Sequence, residues 1–220
     1  MSPTSSRRPR PRRAGIRPTI GLVVEGDAEF AALPHLHKSG LLPDCPPMRP
    51  INLRGLGSDL TPMAVATRLV PPIIQHQVSG LPRVICCIDR ENRESCAPEF
   101  AREVSRELVR LMERKNRSTA NVSIVVADRA FEAWLLADAM GLHRQRVFVR
   151  EPSFHCFEEQ MGSGAKKGVV ELDRLLGRPY RKSVDGPGLF VKLDLASARR
   201  HENGGRGSRS LDKFLRTIVG

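Results

Sequence analysis

The stretch Ile20-Gly21-Leu22-Val23-Val24-Glu25-Gly26-Asp27-Ala28-Glu29 decides the fold. Its first five residues form an apolar, largely β-branched run with no polar interruption, as a strand covered on both faces requires. The run stops at a carboxylate, Glu25; Gly26 then permits a turn, and a helical pattern starts at once. A strand that passes straight into a helix is the repeating unit of a parallel sheet. In such sheets ligands gather beyond the carboxyl ends of the strands, which is where Glu25 stands.

Working outward, similar short runs recur at 84–88 and 122–127, with a weaker one at 49–53. Helical patterns separate them, at 28–39, 62–77, 99–115 and 130–139. In the third of these, Phe100, Val104, Leu108 and Leu111 fall on one amphipathic face. The alternation predicts an α/β, Rossmann-like fold: a mostly parallel four-stranded sheet flanked by helices. Past about residue 141 the pattern weakens. Short helices are expected at 169–176 and 211–218, with a polar loop at 201–210. The glycine-rich 162–168 lacks the spacing of a P-loop and reads as a flexible loop. The chain thus divides into residues 1–17, an α/β core over 18–141, and a C-terminal helical and loop extension over 142–220 packed on that core.

Residues 1–17 hold six arginines and no acid, and so contribute +6 of the formal +12 charge of the 220-residue chain. They read as a disordered basic arm that attracts polyanions without reading sequence, or as a solubilising tail. They contain no apolar core of a secretory signal, and no stretch approaches the ~18–20 apolar residues of a membrane span. Five cysteines, Cys45, Cys86, Cys87, Cys96 and Cys156, form no C-x-x-C pair. That is the pattern of a reduced, cytoplasmic protein without structural zinc. Trp134 and its apolar neighbours are core candidates, and His35 and His37 are surface candidates.

The acids carry the chemistry. Glu25 ends the first strand and Glu29 follows one helical turn later; Asp89 ends the third strand with Glu91 two residues on; Asp128 ends the fourth, followed by Glu132. An acid near a helix N-terminus complements the helix dipole, which alone accounts for Asp27, Glu29 or Glu132 taken singly. It does not account for Glu25 or Asp89, which end buried-type strands. Converging carboxylates need a counter-charge, and Mg²⁺ or Mn²⁺ is the natural one for an all-oxygen set. A lysine could balance charge on a phosphate beside them, with Lys182, Lys167 and Lys166 as candidates.

The first-strand motif resembles that of a Toprim domain, the metal-binding module of primases, type II topoisomerases and OLD-type nucleases. Arg129-Ala-Phe-Glu-Ala-Trp-Leu-Leu-Ala-Asp138 narrows the likeness. It is similar to a segment of a bacterial Toprim-like DUF family related to OLD-type nucleases and associated with phage defence. The likeness continues through Tyr180-Arg181-Lys182, Asp185-Gly186 and the final Leu211-Asp212-Lys213-Phe214-Leu215. The resemblance implies a Toprim-like fold. Glu25 would bind metal or act as acid/base, Asp89 and Glu91 would stand as the metal-carrying D-x-D pair, and Glu29 and Glu132 would serve a second metal. The implied catalytic set is Glu25, Asp89 and Lys182. The implied activity is metal-assisted hydrolysis of DNA or RNA, with a companion ATPase as partner, since OLD-type relatives carry an ATPase and no such motif occurs here. Glu91 departs from the family's aspartate, which points to the alternative of a non-catalytic subunit binding nucleic acid or a partner. A receiver-like regulator phosphorylated on Asp89 lacks the expected Ser/Thr and Lys. A topoisomerase-type nucleophile would have to be Tyr180, the single tyrosine. Oligomeric state stays open.

Overall fold

The computed structural model describes residues 17–57, 59–154, 158, 166–199 and 207–220. The expected basic arm falls outside these residues except for Arg17, as do Cys156, most of the glycine-rich 162–168 and most of the 201–210 loop.

Four strands, β1 (Ile20–Val24), β2 (Met48–Asn52), β3 (Val84–Asp89) and β4 (Val122–Ala127), form one sheet in the order β2-β1-β3-β4. Every pairing is parallel, with Gly21 opposite both Arg49 and Val84, and Val84 opposite Val122. The fold is therefore α/β and Rossmann-like, as the alternation predicts. Successive connections leave β1 on opposite sides, toward β2 and toward β3. The crevice beyond the ends of β1 and β3 is a topological switch point, the place where such sheets bind ligands.

Alternation along the strands builds two apolar layers. Val23, Cys86, Ile88 and Val126 pack against α3 (Pro62–Val78) and α4 (Ala97–Glu113). Leu22, Val24, Ile85, Cys87 and Val125 face the other layer, which contains α1 (Asp27–Ala32), α5 (Phe131–Leu136) and α6 (Ala139–Arg144). The C-terminal helices join that second layer: α7 (Lys166–Leu176), α8 (Lys182–Phe190), α9 (Leu195–Ala198) and α10 (Arg209–Val219). Phe190, Leu211 and Phe214 are buried there with Phe131 and Trp134, and the Trp134 and Phe214 ring centroids lie 5.0 Å apart. Burial of this much aromatic surface contributes strongly to holding the extension on the sheet. None of the helices among the described residues is long and apolar enough to cross a membrane.

Two expected helices need correction, and one further helix appears that was not expected. The helix expected at 28–39 is two pieces, α1 and a short α2 (His35–Lys38), broken before Pro34, which has no N–H to continue the ladder. The helix expected at 130–139 likewise ends at Leu136, and α6 begins at Ala139. The further helix is α8, which runs through Gly186-Pro187-Gly188, residues that weaken a helical pattern. Gly186 earns its place by packing: a Cβ there would lie 2.8 Å from the Tyr180 hydroxyl and 3.2 Å from the Ala28 Cβ, so glycine lets α8 lie close on α1.

Candidate functional site

Glu25 follows the last residue of β1, and its carboxylate reaches across the switch point. Its Oε2 accepts the backbone N–H of Asp89 at 3.0 Å, tying the tip of β1 to the tip of β3. Gly26 is extended, with φ −126°, a conformation open to any residue. Its role is space rather than the turn expected of it: a Cβ would come within 2.6 Å of Glu29 Oε2. Glu29 is thereby folded back from α1 into the interior, where it is only 6% exposed.

From β3, Asp89 stands at the strand tip and Glu91 in the turn that follows. Glu91 adopts φ +49°, the left-handed region that a non-glycine residue occupies at a cost. Hydrogen bonds on both sides hold it there. Its N–H donates to the Arg129 carbonyl at 2.6 Å, and its carbonyl accepts from Arg129 Nη1 at 3.1 Å. Arg93, which sequence reasoning missed, secures the same turn. Its guanidinium donates to the carbonyls of Asp89 and Arg90, both at 3.0 Å, and to those of Gly57 and Leu60 at 3.1 and 3.2 Å. It also lies 4.5 Å over the Phe100 ring. A donor-rich fork facing several carbonyls is what arginine does better than lysine.

Glu132 enters from the first turn of α5, 2% exposed, and meets Lys182 Nζ at 3.2 Å. Lys182 begins α8, and its side chain is otherwise mostly open to solvent. The fold thus brings together all five predicted metal ligands, Glu25, Glu29, Asp89, Glu91 and Glu132, with Lys182 around one cavity of about 290 Å³. Asp27, Arg181 and Ser183 complete its rim. Asp27 is held by Asn52 Nδ2 at 2.7 Å.

Burial and mutual repulsion raise the proton affinity of these acids. Burial, opposed by the Asp89 N–H and reinforced by Glu91, lifts Glu25 to about 7. Burial also lifts Glu29 to about 7, with Glu132 adding to the shift. Asp89 is pushed well above the usual carboxylate range by burial and then by Glu29 and Glu25, and Glu91 moves up mainly through burial. Burial works against the charge on Lys182, but Glu132, Asp89 and Glu29 together outweigh it and raise that pKa.

Not every expected residue joins the site. Asp128 at the tip of β4 turns away from the cavity to pair with Arg90 Nε at 2.8 Å. Lys167 is exposed and does not line the cavity, and the side chain of Lys166 lies outside the described residues. Tyr180 does not line the cavity either; its hydroxyl is buried without a hydrogen-bond partner among the described residues. Trp134 is fully buried, and its indole N–H donates to Ser210 Oγ at 2.6 Å. Cys86 and Cys87 are buried free thiols in β3.

The donor set suits a hard divalent cation. Among the described residues Lys182 is the one cation ion-paired to the five carboxylates, and Glu91 Oε2 is buried with no hydrogen-bond partner. Only oxygen ligands are offered, as magnesium or manganese prefers. Among the described residues no three His, Cys, Asp or Glu side chains are close enough together to hold a metal ion as they stand; the carboxylates ring the cavity. Comparisons with protein-family models, with curated proteins and with solved structures give no match.

Proposed function

We propose that this chain is a Toprim-like nuclease that hydrolyses phosphodiester bonds of DNA or RNA with Mg²⁺ or Mn²⁺. The observation that carries the reading is the convergence of Glu25, Glu29, Asp89, Glu91 and Glu132 at the switch point of a parallel sheet. Stability alone does not account for it, since burying like charges opposes folding. Glu25 and Asp89, joined through the Asp89 N–H, would be the central metal ligands, with Glu91, Glu29 and Glu132 around them. The metal would polarise the phosphoryl group and make a bound water acidic enough to attack at neutral pH.

The chain's own groups do the rest. Without metal, Glu25 and Glu29 have proton affinities near neutrality, so metal uptake at the cavity floor would release protons from them. Lys182 extends from the start of α8 toward that floor, where a cation can balance charge building on phosphate. Arg93 and Arg129 keep the Asp89–Glu91 turn in place and do not line the cavity. Membership of the Toprim-like DUF family, and a companion ATPase, belong to the same proposal.

Calorimetric titration with Mn²⁺ and cleavage of labelled oligonucleotides test it together. The wild-type chain should bind metal and cut; Glu25→Ala and Asp89→Ala should lose both. Cleavage that continues undiminished in both variants would overturn the nuclease assignment. A second reading rests on Glu91, whose longer side chain leaves Oε2 unpartnered: a subunit that binds nucleic acid without cutting it. Nucleic-acid binding with no metal uptake would favour that reading.

A further inference from the structure

Two cationic side chains line the mouth of the cavity, Arg181 and Lys182. They differ in how their charge is met. Lys182 has Glu132 at 3.2 Å. Arg181 shares its only ion-pair partner among the described residues, Asp185, with a second arginine. Arg178 takes both oxygens of that carboxylate in a fork, with Nη1 at 2.7 Å and Nη2 at 2.9 Å. The Arg181 guanidinium approaches the same oxygens only at 3.2 and 3.4 Å. Two guanidiniums and one carboxylate leave one positive charge over, and the longer contacts put that surplus on Arg181.

The position of Arg181 is nevertheless fixed. Its backbone N–H donates to Asp185 Oδ2 at 2.8 Å, and Asp185 itself is buried, its side chain 8% exposed. The Arg181 side chain is 62% exposed, so its remaining N–H donors are open to a ligand. A planar fork with surplus charge, anchored at the mouth of an acid-floored cavity, matches the geometry of a phosphate. The cavity, about 290 Å³, lies at the small end of ligand pockets, room for one nucleotide's phosphate rather than a duplex.

We propose that Arg181 binds a backbone phosphate of a single nucleic-acid strand, adjacent to the phosphate presented to the carboxylates, an assignment that rests on the nuclease reading above. Arg178 is then a positioning residue: by neutralising Asp185 it leaves the Arg181 charge free for the strand.

The test measures binding of a short fluorescein-labelled oligothymidylate to the full chain as a function of salt, without cleavage as a readout. Each phosphate contact on a single strand contributes about 0.7 to the slope of log K against log salt. Arg181→Ala should flatten the slope by about that amount, and Arg181→Lys, which keeps the charge, should restore it. A merely structural arginine would not move the slope. Mn²⁺ affinity, titrated on the same samples, should be unchanged in both variants. An unaltered slope in Arg181→Ala overturns the proposal, as does a wild-type chain that takes up Mn²⁺ and fails to bind the strand. A slope that follows Arg181 in a chain that takes up no Mn²⁺ supports the phosphate site and removes the metal reading instead.

Discussion

Two groups of acids sit at the C-terminal side of the same sheet, and the fold treats them in opposite ways. Around β4 and the C-terminal helices each acid has donors: Asp128 pairs with Arg90, Asp212 with Arg199 and Arg216, and Asp185 with Arg178. Glu158 accepts the hydroxyls of Ser208 and Ser210 and the N–H of Arg209. At the tips of β1 and β3 and the start of α5, Glu25, Glu29, Asp89, Glu91 and Glu132 face one cavity, and among the described residues the one cation paired to them is Lys182. The chain has no shortage of arginine, 36 basic residues against 24 acids, so the imbalance is local. Acids that are partnered hold the molecule together; acids that are not are kept against the interests of stability, as functional sites are.

The sharpest way to break this contrast is to remove a partner from the satisfied side. Ser210 Oγ receives the Trp134 indole N–H at 2.6 Å and the Asp128 backbone N–H at 3.0 Å while serving Glu158. Ser210→Ala strands two donors, each costing about 1–3 kcal/mol when buried, so a loss of roughly 2–6 kcal/mol is expected. Thermal or urea unfolding reads it, and Mn²⁺ affinity should stay as in wild type. A loss of metal binding alongside would mean that the two acid groups are not separate.

The same contrast explains what could be read in the sequence. β1 and β3 were legible because both of their faces are buried and their residues are accordingly apolar. β4, an edge strand, was legible because its second half is buried and its residues are apolar apart from Ser123. β2, the other edge, was faint because none of its residues is fully buried and it carries Arg49, Asn52 and Pro50, the last of which an edge tolerates. Glu25 and Asp89 were legible because each interrupts or ends a buried run. Asp128 has the same local signature and was read into the site; the residue that removes it, Arg90, is a neighbour only once β3 and β4 pair. α8 was hidden by Gly186, Pro187 and Gly188, so Arg181 and Ser183 had no helix to place them at the cavity mouth. Lys182 could be named only beside Lys166 and Lys167, because nothing local to it shows that Glu132 lies 3.2 Å away in the fold.

Relieving the unpartnered side should have the opposite sign. Glu29, buried with a pKa of about 7 against an ordinary 4.5, binds a proton more tightly folded than unfolded. Its stabilising contribution is complete below the unfolded value and is lost as pH rises through about 7. Without metal, Glu29→Gln should therefore stabilise the chain by about 1–3 kcal/mol above neutrality, the energy of roughly two pKa units shared among coupled acids. Urea unfolding in chelator should show the variant and wild type converging toward about pH 4 and separating toward about pH 8. Destabilisation by Glu29→Gln at the alkaline end would show that the cavity acids are structural after all. With Mn²⁺ present the order should reverse, because the wild type then has the counter-charge that its carboxylates lack.

The smallest effect is expected at Asp185, which belongs to the partnered group yet anchors Arg181 at the cavity mouth. Its hydrogen bonds from Arg178 and then Arg181 hold its carboxyl well below the usual range. A depressed pKa contributes stability that is present above the unfolded value and lost as pH falls through the folded one. Asp185→Asn should thus be modestly less stable than wild type at neutral pH, with the gap closing in acid. The loss stays small because Arg178 and Arg181 are 47% and 62% exposed, and solvent screens such pairs. The variant also separates charge from geometry at the cavity mouth. Removing the carboxylate frees a second guanidinium, so strand binding should become steeper in salt even as the anchoring of Arg181 weakens. A flatter salt dependence in Asp185→Asn would mean that the position of Arg181, more than its surplus charge, governs its hold on phosphate.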